Sequence, residues 1–183
     1  MKANYSISLI FLVVLLGCKS PKDIQPTIDS ELKSYYDLFV KEGLARGLST
    51  DFLKTNAVIQ LGKVSKPYVG IADYKANTIT IDSIFWRQNK GFEPSRKFVM
   101  FHELGHLILR RDHDNSLLPN GEYKTMMFTY DNNPSLSYIY FFGIRQKYYT
   151  DELFDAKTIF PEWSKKEYNP DRKSTRLNSS HVD

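Results

Sequence analysis

Residues 101–109 decide how this chain is organised, and they read Phe-His-Glu-Leu-Gly-His-Leu-Ile-Leu. In an α-helix, residues four apart lie about 40° apart around the axis and about 6 Å apart along it. The imidazoles of His102 and His106 can therefore reach one metal ion, with Glu103 beside them on the same helix. This arrangement is typical of a zinc hydrolase in which the carboxylate is the general base.

The surrounding sequence predicts that this stretch is helical. Residues 93–95, Glu-Pro-Ser, provide an acidic helix start marked by proline. Apolar residues then follow at helical spacing, namely Phe98, Phe101, Leu104, Gly105 and Ile108. The alternative is an ordinary core helix with two partly buried histidines. The metal site is favoured because burying two imidazoles and a carboxylate together without a metal is costly.

A third histidine, His113, follows closely in the sequence. If the helix continued to that residue, His113 would lie about 10 Å beyond His106 along the axis, too far for one ion to bind both. The helix must therefore end first. Arg110 and Arg111 suit its last turn, and residues 112–121 are rich in turn formers. A reversal there can bring His113 back to the metal.

The stretch resembles the metzincin clan of zinc peptidases, whose pattern is His-Glu-x-x-His-x-x-Gly-x-x-His followed by a methionine turn. His102, Glu103 and His106 match the first part, but Leu109 stands at the glycine position. The third-ligand position is Asp112, and His113 comes one residue later. Some members of the clan use Asp there, so Asp112 remains an alternative ligand. We favour His113 because neutral imidazole is a strong zinc ligand.

A possible methionine turn follows at residues 124–128, Lys-Thr-Met-Met-Phe. It resembles the Ser-x-Met turn of the clan, with Thr125 for the serine and Met127 for the methionine beneath the metal. A methionine beside a phenylalanine is also common in ordinary core packing, so that alternative stays open. Tyr130 is a candidate for stabilising the oxyanion. It stands three residues after Met127, whereas several metzincins place a tyrosine two residues after the methionine.

The resemblance implies an α+β fold with an N-terminal helix, a small mixed β-sheet, the metal-binding helix, the methionine turn and a C-terminal helical segment. It also implies one catalytic Zn²⁺, a peptide or protein substrate, and endopeptidase activity with Glu103 as the general base. Two alternatives share part of this chemistry. One is another zinc hydrolase, such as an amidase acting on cell-wall peptide, and the other is a lipoprotein that binds zinc without catalysis.

Sequence periodicity predicts the remaining elements. A helix is expected from Ile28 to about Gly43 or Gly47. Strands are expected at residues 57–61, 68–72 and 78–81, with a turn at residues 73–77, and a short helix at residues 83–88. A further helix is expected to include residues 151–156. In the clan, an edge strand above the cleft pairs with the substrate, but the sequence does not indicate which strand does so here.

The N-terminus predicts export and lipid attachment. Residues 1–17 have a short basic start and an apolar run, as in a secretory signal. The Leu-Leu-Gly that precedes Cys18 resembles a bacterial lipobox, in which the cysteine is lipidated. Residues 18–27 would then be a tether that anchors the chain to a membrane without spanning it. Lys19 after the cysteine, by resemblance to sorted lipoproteins, favours the outer membrane.

The C-terminal residues 172–183 resemble translated sequencing-adapter read-through, so we exclude them from the expected 28–171 domain. The full chain carries a formal net charge of +4. Leaving out the bases and acids of the signal and the tail gives 21 basic and 20 acidic residues, or +1. The basic balance therefore gives no reason to expect a nucleic-acid partner. We expect a monomer.

Overall fold

The computed structural model describes residues 25–129 and 143–165. Its helices and strands follow in the order β1 (Thr27–Ile28), α1 (Lys33–Ala45), β2 (Val58–Gly62), β3 (Gly70–Asp73), β4 (Thr78–Asp82), α2 (Ser83–Gln88), α3 (Glu93–Leu107) and α4 (Gln146–Phe154). Short 3-10 turns lie at Thr50–Leu53, Gly143–Arg145 and Glu162–Ser164. The α+β class with a small mixed sheet is confirmed.

The sheet has four strands in the order β1-β2-β4-β3. Strands β1, β2 and β4 run parallel, whereas β3 pairs antiparallel with β4 and forms one edge. The isoleucines of β2 and β4 supply the apolar face, since Ile59, Ile79 and Ile81 are fully buried. Helix α3 packs against β3, β4 and α1. Helix α3, which carries His102 and His106, therefore lies in the centre of the fold, next to an edge strand.

Aromatic packing fixes α3 against α1. Phe101, which precedes the first histidine, meets Phe39 of α1 edge to face, with ring centroids 5.4 Å apart. Both rings are fully buried. Aromatic pairs in this arrangement contribute about 0.5–1.5 kcal/mol beyond their buried area. One side of α3 is thereby held in the core, and the adjacent side carries the histidines.

One predicted helix boundary is wrong. The first helix begins at Lys33 rather than Ile28, because Thr27 and Ile28 pair with β2 instead. The amide of Thr27 donates to the Ala57 carbonyl at 2.9 Å. The helix predicted to include residues 151–156 runs from Gln146 to Phe154, so it ends two residues before Ala156. By contrast, the predicted strands, the turn at residues 73–77 and the helix at residues 83–88 are confirmed to within about two residues.

Several sequence predictions fall outside the described residues. They are the signal at residues 1–17, the lipidated Cys18, the candidate Tyr130 and the tail at residues 172–183. Within residues 25–129 and 143–165, none of the helices combines the length and the apolar character needed to cross a bilayer.

Candidate metal centre

Three histidines converge in this structure, two from α3 and one from the chain that follows it. The Nε2 atom of His106 lies 3.1 Å from Nε2 of His102 and 3.1 Å from Nε2 of His113. The third distance, between His102 and His113, is 3.3 Å. Nitrogens bound at 2.0–2.1 Å to one tetrahedral ion lie about 3.3–3.4 Å apart. The three side chains are therefore close enough to bind one metal ion.

Two backbone carbonyls orient the helix histidines. His102 Nδ1 lies 2.8 Å from the Met126 carbonyl oxygen, and His106 Nδ1 lies 2.7 Å from that of Arg111. A carbonyl can only accept a hydrogen bond, so each Nδ1 carries the proton and each Nε2 keeps its lone pair. These lone pairs face each other across about 3 Å. Such a donor set fits a cation that prefers imidazole nitrogen.

The electrostatics of the two helix histidines favour their neutral forms. Burial, together with the nearby His106, lowers the pKa of His102 to about 3. Burial also lowers the pKa of His106. A metal ligand must be a neutral imidazole, so neither residue has to release a proton at neutral pH before it binds.

The return of His113 depends on where the helix ends. Helix α3 ends at Leu107, so Arg110 and Arg111 lie beyond it rather than in its last turn. Arg110 adopts a left-handed conformation with φ of 57°, and its amide donates to the His106 carbonyl at 3.1 Å. This is the αL type of helix termination, which usually has glycine at that residue.

The turn also explains the one-residue offset from the metzincin pattern. In that pattern the glycine stands three residues before the third ligand. Arg110 stands three residues before His113 and takes the conformation that glycine favours. Asp112 is exposed at the edge of the cavity and is not in the converging group, so the geometry favours His113 as the third ligand.

The segment carrying His113 is fixed by pairing with the segment around Met127. The Asp114 amide donates to the Met127 carbonyl at 2.9 Å, and the Thr129 amide donates to Asn115 Oδ1 at 2.7 Å. The Asp114 carboxylate accepts from Ser116 and Lys124. Those bonds direct the Asp114 carboxylate towards Ser116 and Lys124.

Glu103 lies in the same cavity but is not one of the converging ligands. Its side chain is buried, and this burial raises the pKa of the carboxyl to about 8. A hydrogen bond from the Ala72 backbone partly offsets that rise. The chain approaches Glu103 closely at Gly70, where an added Cβ would lie 2.6 Å from Glu103 Oε1. Strand β3 therefore positions the carboxylate by backbone contact.

Met127 is fully buried, and its place in the fold depends on Gly105. An added Cβ on Gly105 would lie 2.6 Å from Met127 Sδ. The Met127 amide donates to Thr125 Oγ1 at 3.1 Å, which closes the turn. Met127 therefore packs against helix α3 at Gly105, the residue before His106.

A cavity of about 460 Å³ opens beside the three histidines. Its walls are mostly apolar, and they come from β3, α3 and residues 128–129. Phe98, Val99 and Phe128 line its inner part, while Tyr68, Ile71 and Tyr74 are exposed along its rim. Apolar walls around a few convergent polar groups are typical of a ligand-binding cleft.

Several groups at this centre could not be predicted from the sequence. The carbonyls of Met126 and Arg111 and the amide of Ala72 are backbone groups, so no residue type indicates them. Gly70 did carry a signal, because a glycine inside a strand pattern often marks a close approach of the backbone. Comparison with protein-family models, with curated proteins and with solved structures finds no match to this chain.

Proposed function

We propose that this chain is a zinc-dependent endopeptidase. One observation carries the proposal: three imidazole nitrogens lie 3.1–3.3 Å apart in a cavity that also contains a buried carboxylate. Three histidines that leave a further coordination position open are typical of catalytic rather than structural zinc sites. A site that only stored zinc would have no use for Glu103 beside the ligands.

The chemistry is divided between the ion and the chain. A bound zinc ion would supply a Lewis acid that lowers the pKa of a water molecule and polarises a carbonyl group. Glu103 accepts the proton of the attacking water in its ionised form, which a cation held by the three histidines would favour. The same carboxyl then donates that proton to the leaving amine.

An extended peptide fits the open edge of β3. The Asp82 amide donates to the Val69 carbonyl at 2.9 Å. In an antiparallel pair, every second residue of a strand bonds to the neighbouring strand, and the residues between them point their backbone groups to the other side. The backbone groups of Gly70 and Ala72 then face the open edge, and Ala72 already donates to Glu103. A substrate strand pairing there would lie along the cavity, with its side chains against apolar walls.

The proposed location is a membrane surface outside the cytoplasm. Its support is the sequence alone: an apolar signal at residues 1–17 and a lipobox-like ending at Cys18. Lipidation of that cysteine would tether the enzyme to the outer membrane. Fractionation of cells that express the chain or its Cys18→Ser variant tests this, because the variant should leave the membrane fraction.

A peptide library, a set of folded proteins and cell-wall peptide test the proposed activity. The full-length chain should cleave peptide bonds in the presence of Zn²⁺ and stop when a chelator removes the ion. Glu103→Gln should keep the ion and lose about 10²–10⁴-fold in rate, which is the range of general acid–base catalysis. Glu162→Gln, an exposed acid distant in the sequence, is the matched control and should cleave like the parent.

Two results would overturn this proposal. Unchanged cleavage by Glu103→Gln would remove that residue from the mechanism. Cleavage of cell-wall peptide alone, with no activity on proteins or linear peptides, would assign the centre to an amidase instead.

A further inference from the structure

Arg111 joins the metal centre to helix α4. Its Nη1 donates to the carbonyls of Glu152 and Leu153 at 2.6 and 2.8 Å, and its Nη2 donates to Glu152 Oε1 at 2.7 Å. The Arg111 side chain is 16% exposed and that of Glu152 is fully buried. The guanidinium therefore caps the end of α4 with three hydrogen bonds to one short stretch of chain.

The backbone of the same residue touches the metal ligands. The Arg111 carbonyl accepts from His106 Nδ1 at 2.7 Å, and the Arg111 amide donates to the Gly105 carbonyl at 3.0 Å. Leu153 also packs close to Gly105. The carbonyl that determines which His106 nitrogen faces the centre is thus held from two directions, by α3 and by α4.

Stability alone does not explain why the Arg111–Glu152 ion pair is present. A buried ion pair is often no more stable than well-packed apolar residues in its place. Here Glu152 Oε2 is buried and has no hydrogen-bond partner among the described residues, so the carboxylate is only partly satisfied. The last carbonyls of α4 need donors, but water or a simpler cap would satisfy them.

We propose that Arg111 and Glu152 are a positioning pair for the metal ligand His106. By fixing the Arg111 side chain on α4, the pair fixes the backbone carbonyl that orients His106, and metal affinity then depends on this specific contact of Arg111 with α4. This inference rests on the proposed metal centre. Arg111 and Glu152 act through His106 and contact no substrate in the proposed reaction.

The chain provides a matched control on the neighbouring residue of α4. Arg46 donates to Asp151 Oδ1 at 2.8 Å, and the two side chains are 21% and 27% exposed. This pair also fastens α4, but to α1 rather than to the metal centre. Removing it weakens the docking of the helix without touching the carbonyl that His106 uses.

The experiment compares the full-length chain with Arg111→Met, Arg111→Lys, the double variant Arg111→Met with Glu152→Met, and the control Arg46→Met. Three quantities are measured: Zn²⁺ affinity by competition with a chelator, the visible absorption of bound Co²⁺, and stability of the metal-free protein. Arg111→Met should bind Zn²⁺ about tenfold more weakly, the lower end of the effect of residues that orient metal ligands. It should also alter the Co²⁺ spectrum.

The other variants distinguish an effect on the orientation of His106 from an effect on the stability of the protein. The double variant removes both charges, so it should regain stability but not Zn²⁺ affinity. Arg111→Lys keeps the charge but cannot span three acceptors, and it should lose part of the affinity. Arg46→Met should bind Zn²⁺ as the parent does, with the parent Co²⁺ spectrum.

Parental Zn²⁺ affinity in the Arg111→Lys and double variants would overturn the inference while leaving the metal centre intact. An equal loss of affinity in Arg46→Met would also overturn it, because helix docking alone would then explain the effect. Absence of Zn²⁺ binding by the unmodified chain would refute the metal centre itself and this inference with it.

Discussion

Helix α3 and the return segment, defined as residues 108–129, both contribute to the metal centre but are held in different ways. The helix places His102 and His106 by its own periodicity and is packed into the core. The return segment places His113, which is exposed, by pairing its own beginning with its own end. There the Asp114 amide donates to the Met127 carbonyl. Two ligands are therefore fixed by local structure, and the third by tertiary hydrogen bonds.

The two regions also differ in how exposed their titratable side chains are. Glu103 is buried on the helix side, against strand β3. Asp112 and His113 on the return segment are exposed to solvent. We therefore expect substitutions on the helix side to change the stability of the metal-free protein, and the turn of the return segment to affect it less.

The largest predicted effect is on the helix side, in metal-free Glu103→Gln. The pKa of Glu103 is raised from 4.5 to about 8 in the folded protein, so the folded state resists ionisation. Below about pH 4.5 both states are protonated and the residue costs nothing. As the pH rises towards 8, the unfolded state ionises first and the native protein loses stability.

Glu103→Gln removes this cost and keeps an acceptor for Ala72. At pH 7 it should raise the free energy of unfolding by roughly 3 kcal/mol, since one pKa unit corresponds to about 1.4 kcal/mol. Denaturant titrations of both proteins from pH 4 to 8, with a chelator present, would measure this. The two curves should meet near pH 4.5. A constant difference across that range would contradict the prediction.

The next effect concerns the contact between β3 and Glu103. Gly70→Ala would bring a methyl group within 3.0 Å of Glu103 Oε1, Cγ and Cδ. Because the whole carboxylate must shift, the rate of peptide cleavage should fall by about 10²-fold, as expected for a misplacement of about 1 Å. Zn²⁺ affinity should stay unchanged, because no ligand moves.

Gly91→Ala is the matched control, because an added Cβ there would meet no atom within 4 Å. Steady-state kinetics on both variants measure the effect on Glu103, and chelator competition measures the effect on the histidine ligands. Loss of Zn²⁺ affinity in Gly70→Ala would show that β3 supports the ligands as well as the base.

The smallest effect is at the turn of the return segment. Arg110 has a positive φ, which costs an L-residue roughly 1–2 kcal/mol, and its guanidinium lies 5.1 Å from the centre of the Tyr74 ring. Arg110→Ala loses the ring contact and keeps the strain, whereas Arg110→Gly relieves the strain. The glycine variant should therefore be about 1 kcal/mol more stable than the alanine variant.

Thermal or denaturant unfolding of the two variants tests this turn, and Tyr74→Ala measures the ring contact separately. Equal stability of the alanine and glycine variants would indicate that residue 110 does not adopt the left-handed conformation in solution.

The helix side could be predicted from sequence because its geometry is local. The spacing of His102, Glu103 and His106 fixes their placement once the residues are helical, and apolar periodicity indicated the helix. The need for the helix to end before His113 followed from the rise per residue. These inferences required no knowledge of the rest of the chain.

The return segment could be predicted only in part because its geometry depends on distant residues. Nothing in the residue type of Arg110 indicates a left-handed turn, since glycine or asparagine is usual there. Ile28 was predicted to begin the first helix and Thr27 to end the tether, but both form a strand because β2 offers an edge to pair with. Tertiary pairing decided that outcome.

Metal analysis of the full-length chain beside its His113→Ala and Asp112→Ala variants tests the central claim most directly. We predict one zinc ion per chain in the unmodified protein and in Asp112→Ala. His113→Ala should lose most of its zinc during dialysis, because only the two helix ligands remain. Full zinc occupancy in His113→Ala together with its loss from Asp112→Ala would contradict this account, as would an unmodified chain that binds no zinc.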